Sequence, residues 1–422
     1  MKLWKLAVLV GWCGCGIAQQ EPAAPWIARE TAAELHLPER TQPPRRVVLG
    51  NEQLKTLVPL LGRGGVAVVA NATSVLQADV RERPTHLVDT LLALGVNVRK
   101  VFAPEHGFRG DAANGAHIED GHDPRTGLPI VSLHGDRRKP RPEDLADVRA
   151  IVFDIQDVGA RFYTYLSTLA LVMEAAAEAG AAVVVLDRPN PHGHHVAGPM
   201  LQPELTSFVG QLPVPMVHGL TLGEVGQMIN GEHWLPDSLH CALTVIPCRG
   251  WVHSDRWDPP VSPSPNLPTA SAIALYPSLC LFEPTMMSVG RGTPFPFEAI
   301  GLPGFPDTSF AFTPVPVPGA APHPKHEGMR CTGRDLRPLG AAWLDAPSGF
   351  DLRMVPDAFT EQPMYGWVQS PSFFDKLAGT AEFRRLMGAD AEEVDAAFEG
   401  WTRGLREFVG RSEAYLAYPL TR

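Results

Sequence analysis

Glu105 stands in FAPEHGFRG (102–110), where a short apolar run ends in a carboxyl, an imidazole and two glycines. A carboxyl at the mouth of a buried strand can trade a proton with a reacting group, His106 can assist it, and Gly107 and Gly110 let a ligand approach the backbone. The same spacing also suits a structural ion pair between Glu105 and Arg109. A second acid, Glu174, lies in LVMEAAAE (171–178) among small apolar residues, where burial would raise its pKa. Glu174 and Glu178 are also four residues apart, the pattern of a solvated helix face. A helix rises about 1.5 Å per residue, which sets Glu174 well below any strand end unless the helix begins late.

Between these acids runs VFDIQDVGARFYTYLSTL (152–169). Val152, Phe153 and Ile155 fit a pleated core, yet Asp154, Gln156, Asp157 and Arg161 follow at once, with Tyr163 and Tyr165 behind. Such a change is expected of a strand that ends in a functional crevice, or of a solvated loop. Arg161, Arg188 and Arg291, the last in GRGT (290–293), could each grip a carboxylate through two parallel hydrogen bonds, or serve in structural ion pairs. His218 precedes Gly219 and could face the same crevice, whereas Thr221 and Glu224 have the T-x-x-E spacing of a helix capping box. HGHHVAG (192–198) lacks metal-ligand spacing and reads as a loop. There is no G-x-S-x-G elbow, no supported cysteine–histidine arrangement, no G-x-G-x-x-G and no P-loop, so no cofactor or metal is implied.

The elements that must position these residues alternate. GVAVVAN (65–71), VNVRKVFAPE (96–105), DVRAIVFDIQD (147–157) and AAVVVLDRPNP (181–191) are apolar strands. THLVDTLLALG (85–95) and YTYLSTLALVMEAAAEAG (163–180) have helical spacing and stop at glycine. This rhythm predicts an α/β fold with a parallel sheet covered on both faces. Each strand ends in polar groups: Asn71, Glu105 and His106, Asp154 to Asp157, Asp187 and Arg188. Ligands of open α/β sheets bind at those carboxyl ends.

At 422 residues, with 45% hydrophobic and 19% charged residues, the chain is long enough for two domains with substantial cores. MKLWKLAVLVGWCGCGIAQQ pairs Lys2 and Lys5 with an apolar run too short to span a bilayer, so 1–18 reads as a signal peptide cut after Ala18. A lipoprotein signal ending at Cys13 or Cys15 fits less well. The expected location is secreted or periplasmic, with no transmembrane segment in the mature chain. Residues 19–46 read as a proline-rich leader, 47–265 as the first domain, and 266–422, richer in proline and serine, as a smaller mixed one. A net charge of −10 gives no electrostatic reason to bind nucleic acid. Cys241, Cys248, Cys280 and Cys331 remain in the mature chain, with no pairing or zinc site readable from their spacing.

Eight segments in order carry a resemblance: APEHGFRG (103–110), DPRTGLPIVSLHG (123–135), VFDIQDVGARFYTYLSTL (152–169), VLDRPNP (185–191), SFVGQLPVPMVHGLTLGE (207–224), SPSPNLPT (262–269), SVGRGTPFPFEAIGLP (288–303) and FFDKLAGT (373–380). Over roughly 47–422 the chain closely resembles the NamZ-type exo-β-N-acetylmuramidases, glycoside hydrolase family 171. The resemblance implies a Rossmann-like catalytic domain, an ancillary α+β domain and a cleft between them. It also implies release of β-1,4-linked N-acetylmuramic acid (MurNAc) from non-reducing ends of peptidoglycan fragments such as MurNAc-GlcNAc. Two glutamates of the family match Glu105 and Glu174, expected here as the catalytic pair. His106, Arg109, Asp154, Gln156, Arg161, Tyr163, Arg188, His218 and Arg291 are expected to bind substrate, the arginines because muramic acid carries a lactyl carboxylate. Family members often read E-G-T-N where this chain has Glu283-Pro284-Thr285-Met286. A non-catalytic sugar-binding protein with the same crevice, or an esterase or amidase, are the competing readings.

Overall fold

The computed structural model describes residues 34–36, 46–76, 84–109, 120–345, 352–360 and 368–421. The expected signal peptide lies outside them, as does most of the leader. Val66–Ala70 (β1) is apolar at every position and buried throughout, the pattern of a strand covered on both faces. It sits at the centre of a seven-stranded sheet with Val98–Ala103 (β2), Gly121–His122 (β3), Pro129–Ser132 (β4), Ala150–Asp154 (β5), Ala182–Leu186 (β6) and Ala242–Ile246 (β7), in the order β7-β6-β5-β1-β2-β4-β3. All neighbours are parallel except β3, which runs antiparallel to β4. Val68 faces Val101 on one side and Val152 on the other. The chain moves outward from β1 through β2 to β4, then returns to place β5 against the opposite edge of β1. That reversal is a topological switch point, and it opens a crevice beyond the ends of β1, β2 and β5.

Helices Leu54–Leu61 (α1), Leu87–Ala93 (α2), Tyr165–Ala179 (α3) and Leu222–Gly231 (α4) flank the sheet. Gly180 closes α3 at φ 66°, a left-handed stop that glycine adopts without strain. Thr221 and Glu224 form the expected capping box at the start of α4.

Beyond the sheet come Ala270–Leu279 (α5), the antiparallel strands Ala299–Leu302 (β8), Phe310–Phe312 (β9) and Cys331–Asp335 (β10) in the order β8-β10-β9, and the long helix Ala391–Ser412 (α6). Val394, Phe398, Trp401, Leu405 and Phe408 form the buried stripe of α6, at the spacing of an amphipathic helix. The stripe packs back on strand His195–Met200. That strand also pairs antiparallel with Glu34–His36, so part of the expected leader is a strand of the fold. One hydrophobic core runs through both halves, from Leu169 and Met173 on α3 to Leu275, Phe282, Phe374 and Phe408. Cys241, Cys248, Cys280 and Cys331 are buried free thiols. No helix among the described residues is long and apolar enough to cross a membrane.

The chain's last residues latch onto the sheet. The Tyr418 hydroxyl donates to Asp187 Oδ2 at 2.6 Å and accepts from the Cys248 amide at 2.9 Å, while the ring packs edge-on against Trp251. Tyr418→Phe keeps the ring and leaves both buried partners short of one bond. It should lower stability by about 1–3 kcal/mol, read as a shift in urea midpoint with an unchanged slope.

Candidate active site

β2 delivers Glu105 to the crevice. Phe102 and Ala103 are fully buried, Pro104 ends the strand, and Glu105 is half-buried. His106 (φ 73°) and Gly107 (φ 77°) then turn the chain sharply. A non-glycine residue in that region is uncommon, and such residues cluster at functional sites. Glu105 Oε2 accepts from the Thr164 hydroxyl at 2.9 Å, just ahead of α3. The Glu105 carbonyl accepts from the Tyr165 hydroxyl at 3.3 Å, and that hydroxyl accepts from Asn71 Nδ2 at 2.8 Å. The ends of β1 and β2 and the start of α3 are therefore joined around one residue, Glu105, through its carboxylate and its backbone carbonyl.

The second half of the chain brings the facing groups. Tyr276 on α5 lies edge-on to Phe162, Tyr163 and Phe297. Arg291 Nε donates to Glu283 Oε1 at 3.1 Å, and its guanidinium lies 5.0 Å from the centre of the Phe297 ring. Lys325 Nζ fixes the loop beneath Glu283 by donating to the carbonyls of Phe282, Glu283, Thr285 and Met287 at 2.7–3.2 Å. Burial holds the His106 imidazole below its usual pKa; the Glu105 charge opposes that shift, and the charges of Arg291 and His134 reinforce it. His106 therefore rests neutral near pH 7. Burial, with the negative charge of Glu105 adding to it, raises the pKa of Tyr163, Tyr165 and Tyr276, so all three hydroxyls stay protonated. Glu105, Arg291, two imidazoles and a tyrosine wall thus act on one another electrostatically, and Glu283 joins the set through its bond to Arg291. Such a set can protonate a leaving group, steady positive charge and hold an anion.

Several expected site residues lie elsewhere. Glu174 sits ten residues into the helix from Thr164, a rise of about 15 Å. Its carboxylate pairs with Lys139, which also binds Glu178 at 2.7 Å. Paired glycosidase carboxyls stand roughly 5–9.5 Å apart, so Glu174 belongs to an ion-pair cluster on the flank and not to a pair with Glu105. Arg109 binds both Asp89 and Asp123 rather than Glu105. Asp154 and Arg188 form a buried ion pair at 2.7 Å, completed by Asn51; they brace the sheet instead of lining the crevice. Arg161 is fully buried, and donates to the carbonyls of Pro199, Val214, Leu377 and Ala378. Gln156 is held by Asp157 O, Pro189 O and the Trp257 indole. Tyr163 donates to Pro263 O while its ring stays beside Tyr165. His218 is buried behind the strand ends, 4.0 Å from Asp157, and burial pushes its pKa down to about 3. Of the expected set, Glu105, His106 and Arg291 come together, with Tyr163 at their edge.

Three members of the cluster escape the sequence reading. Glu283 stands just ahead of SVGRGTPFPFEAIGLP, His134 follows β4 by two residues in DPRTGLPIVSLHG, and Tyr276 is one aromatic in an apolar helix. His134 carried the signal that picked out Glu105, a polar residue at the end of an apolar run. For Glu283 the hint is an acid eight residues before an arginine set between glycines. Among the described residues no group of three histidine, cysteine or acidic side chains could hold a metal ion.

The chain is similar to known proteins over most of its length. The family model for the N-terminal part of the exo-β-N-acetylmuramidase NamZ matches residues 66–271, and that for its C-terminal part matches 274–418. The peptidoglycan β-N-acetylmuramidase NamZ of Bacillus subtilis (strain 168) is 38% identical over 342 residues, 76% of this chain and 80% of that protein. Two crystal structures of DUF1343 family proteins from Bacteroides fragilis NCTC 9343 are similar. One has a TM-score of 0.79 at 40% identity, covering 89% of this chain and 99% of that one. The other has a TM-score of 0.71 at 27% identity, covering 89% and 100%.

Asp157, beneath the cluster, makes a pH prediction. Burial pushes its carboxyl up to about 7, against about 3.9 in an unfolded chain. While both states are protonated, below the unfolded value, this costs nothing. As pH rises from about 4 to 7 only the unfolded state ionises, and stability falls. Asp157→Asn keeps an acceptor for the Gly159 amide and removes that penalty. Its gain in urea midpoint over wild type should be larger at pH 8 than at pH 4.5.

Proposed function

Since the chain belongs to the NamZ family of exo-β-N-acetylmuramidases, we propose that it is an exo-acting glycoside hydrolase that releases β-1,4-linked N-acetylmuramic acid from the non-reducing ends of peptidoglycan fragments. One observation supports this above others. Glu105, held by Thr164 at the end of β2, shares its surroundings with the Glu283–Arg291 pair from the second half of the chain. Glycoside hydrolysis needs an acid for the leaving oxygen and a second group for the positive charge that develops at the anomeric carbon.

Glu105 is the acid. Its partner Thr164 bears a hydroxyl, which can donate to the carboxylate and accept from the carboxylic acid, so the hydrogen bond survives proton transfer. Glu283 supplies the second carboxyl. Arg291 grips the lactyl carboxylate that distinguishes muramic acid from N-acetylglucosamine, since its planar fork suits that group. The tyrosine wall of Tyr163 and Tyr276 offers apolar edges to the sugar ring. A charged start and short apolar run over 1–18 support export to the periplasm or beyond, and with it a role in cell-wall turnover and recycling.

The mature protein should hydrolyse a chromogenic β-N-acetylmuramic acid glycoside and leave its N-acetylglucosamine counterpart intact. Glu105→Gln and Glu283→Gln should each lower kcat by roughly 10²–10⁴-fold with an unchanged melting temperature. Glu174→Gln should turn over at the wild-type rate. Full activity in Glu105→Gln, or inactivity in Glu174→Gln, would overturn the assignment. Tight sugar binding with no turnover of either glycoside would favour a binding protein.

A further inference from the structure

Every main-chain carbonyl from Phe282 to Met287 accepts a hydrogen bond from outside that segment. Lys325 Nζ donates to those of Phe282, Glu283, Thr285 and Met287 at 2.7–3.2 Å. His326 Nε2 donates to that of Met286 at 2.7 Å. The amides of Gln369 and Ser370 donate to that of Pro284 at 2.8 and 3.1 Å. The segment so fixed has one charged residue, Glu283. Lys325 is half-buried, and its hydrogen-bond partners are carbonyls, not carboxylates. An ammonium has three donors and no acceptor, and it leaves water at little cost only where acceptors converge on it. Burial holds its pKa below the usual value, the charges of Glu283 and Cys280 oppose that shift, and Arg291 reinforces it.

The clamp is itself anchored to the turn that carries Arg291. Lys325 and His326 lie in the proline-rich connection 313–330 between β9 and β10. Within it the Val315 amide donates to Gly292 O, and the Gly328 amide to Pro314 O, both at 2.9 Å. Gly292 of GRGT has φ 81°, and a Cβ there would come within 2.7 Å of Pro324, so a glycine lets the connection close on that turn. His326 has φ 57°, a conformation that non-glycine residues hold only where the surroundings impose it. We infer that Lys325 is a positioning residue for the hydrolysis: with His326 it locks the 282–287 segment and so sets the Glu283 carboxylate against Arg291 before substrate binds. This rests on the reading of Glu283 as the second carboxyl given above.

A double-mutant cycle tests it. Lys325→Met keeps the unbranched stem and removes the charge and the donors. It should lower kcat on the chromogenic muramic acid glycoside roughly 10–100-fold, the cost of a misplaced reacting group. In a Glu283→Gln background the same change should cost less than about twofold more, because a residue that acts through Glu283 then has nothing left to position. A lysine that only braces the fold would cost the same factor in both backgrounds. Lys325→Arg keeps the charge, but its planar fork cannot meet all four carbonyls, so its loss should be smaller; the same cycle run on it decides the matter if Lys325→Met does not fold. A crystal structure of the folded variant should show Glu283 Oε1 more than about 4 Å from Arg291 Nε, outside ion-pair range. Wild-type kcat in a folded Lys325→Met, equal losses in both backgrounds, or a Glu283–Arg291 contact unchanged from wild type would overturn the inference. Failure of wild type to cleave the glycoside would count against the hydrolase reading, and the crystal structure would then decide whether Lys325 sets Glu283.

Discussion

The fully buried guanidinium of Arg161 is the contact on which the site depends. Its donors reach the carbonyls of Pro199 and Val214 on one side and of Leu377 and Ala378 on the other, segments far apart in the chain. The Arg161 amide also donates to Met216 O. A buried arginine is tolerated only where such acceptors converge. Burial pulls its pKa down to about 9, still charged at neutral pH. Gly379 makes room for it: a Cβ at that position would come within 2.2 Å of the guanidinium. By fixing residue 161 against the second half of the chain, this contact sets the place of Thr164 three residues later, and Thr164 holds Glu105.

The parallel sheet supplies the other constraint. Covered on both faces, it has no surface of its own for chemistry, so polar groups gather where its strands stop. Two outcomes are possible for such groups, and both occur. Asp154, Arg188 and Asp187 turn inward and are consumed by buried bonds with Asn51, Thr221 and Tyr418. Glu105 and His106 instead stay within electrostatic reach of Tyr276 and Arg291 from the second half of the chain, and His134 within reach of His106. The site is thus assembled from both halves, with one continuous core beneath them.

Much of this was legible in the sequence. The alternation of apolar strands and helices led to the doubly wound sheet, the T-x-x-E spacing at 221–224 to the helix cap, and PEHG to the carboxyl at the end of β2. A residue's direction was not legible. Asp154 and Glu105 have the same signature, an acid closing an apolar run, and only the fold separates the fully buried brace from the half-buried acid at the crevice. Arg161 reads as a ligand for an anion because the four carbonyls it satisfies come from three separate places between 199 and 378. Glu174 reads as reactive because its neighbours are small and apolar; the rise of α3 and the approach of Lys139 put it on a flank. Glu283 lay unselected because its bond to Arg291 is made only in the folded chain.

The most direct measurement is a crystal structure of the Glu105→Gln protein with the MurNAc-GlcNAc disaccharide. The account predicts the muramyl anomeric carbon between residues 105 and 283, with the lactyl carboxylate on Arg291. A sugar bound elsewhere, or with its glycosidic oxygen turned toward Lys139 and Glu174, would contradict it.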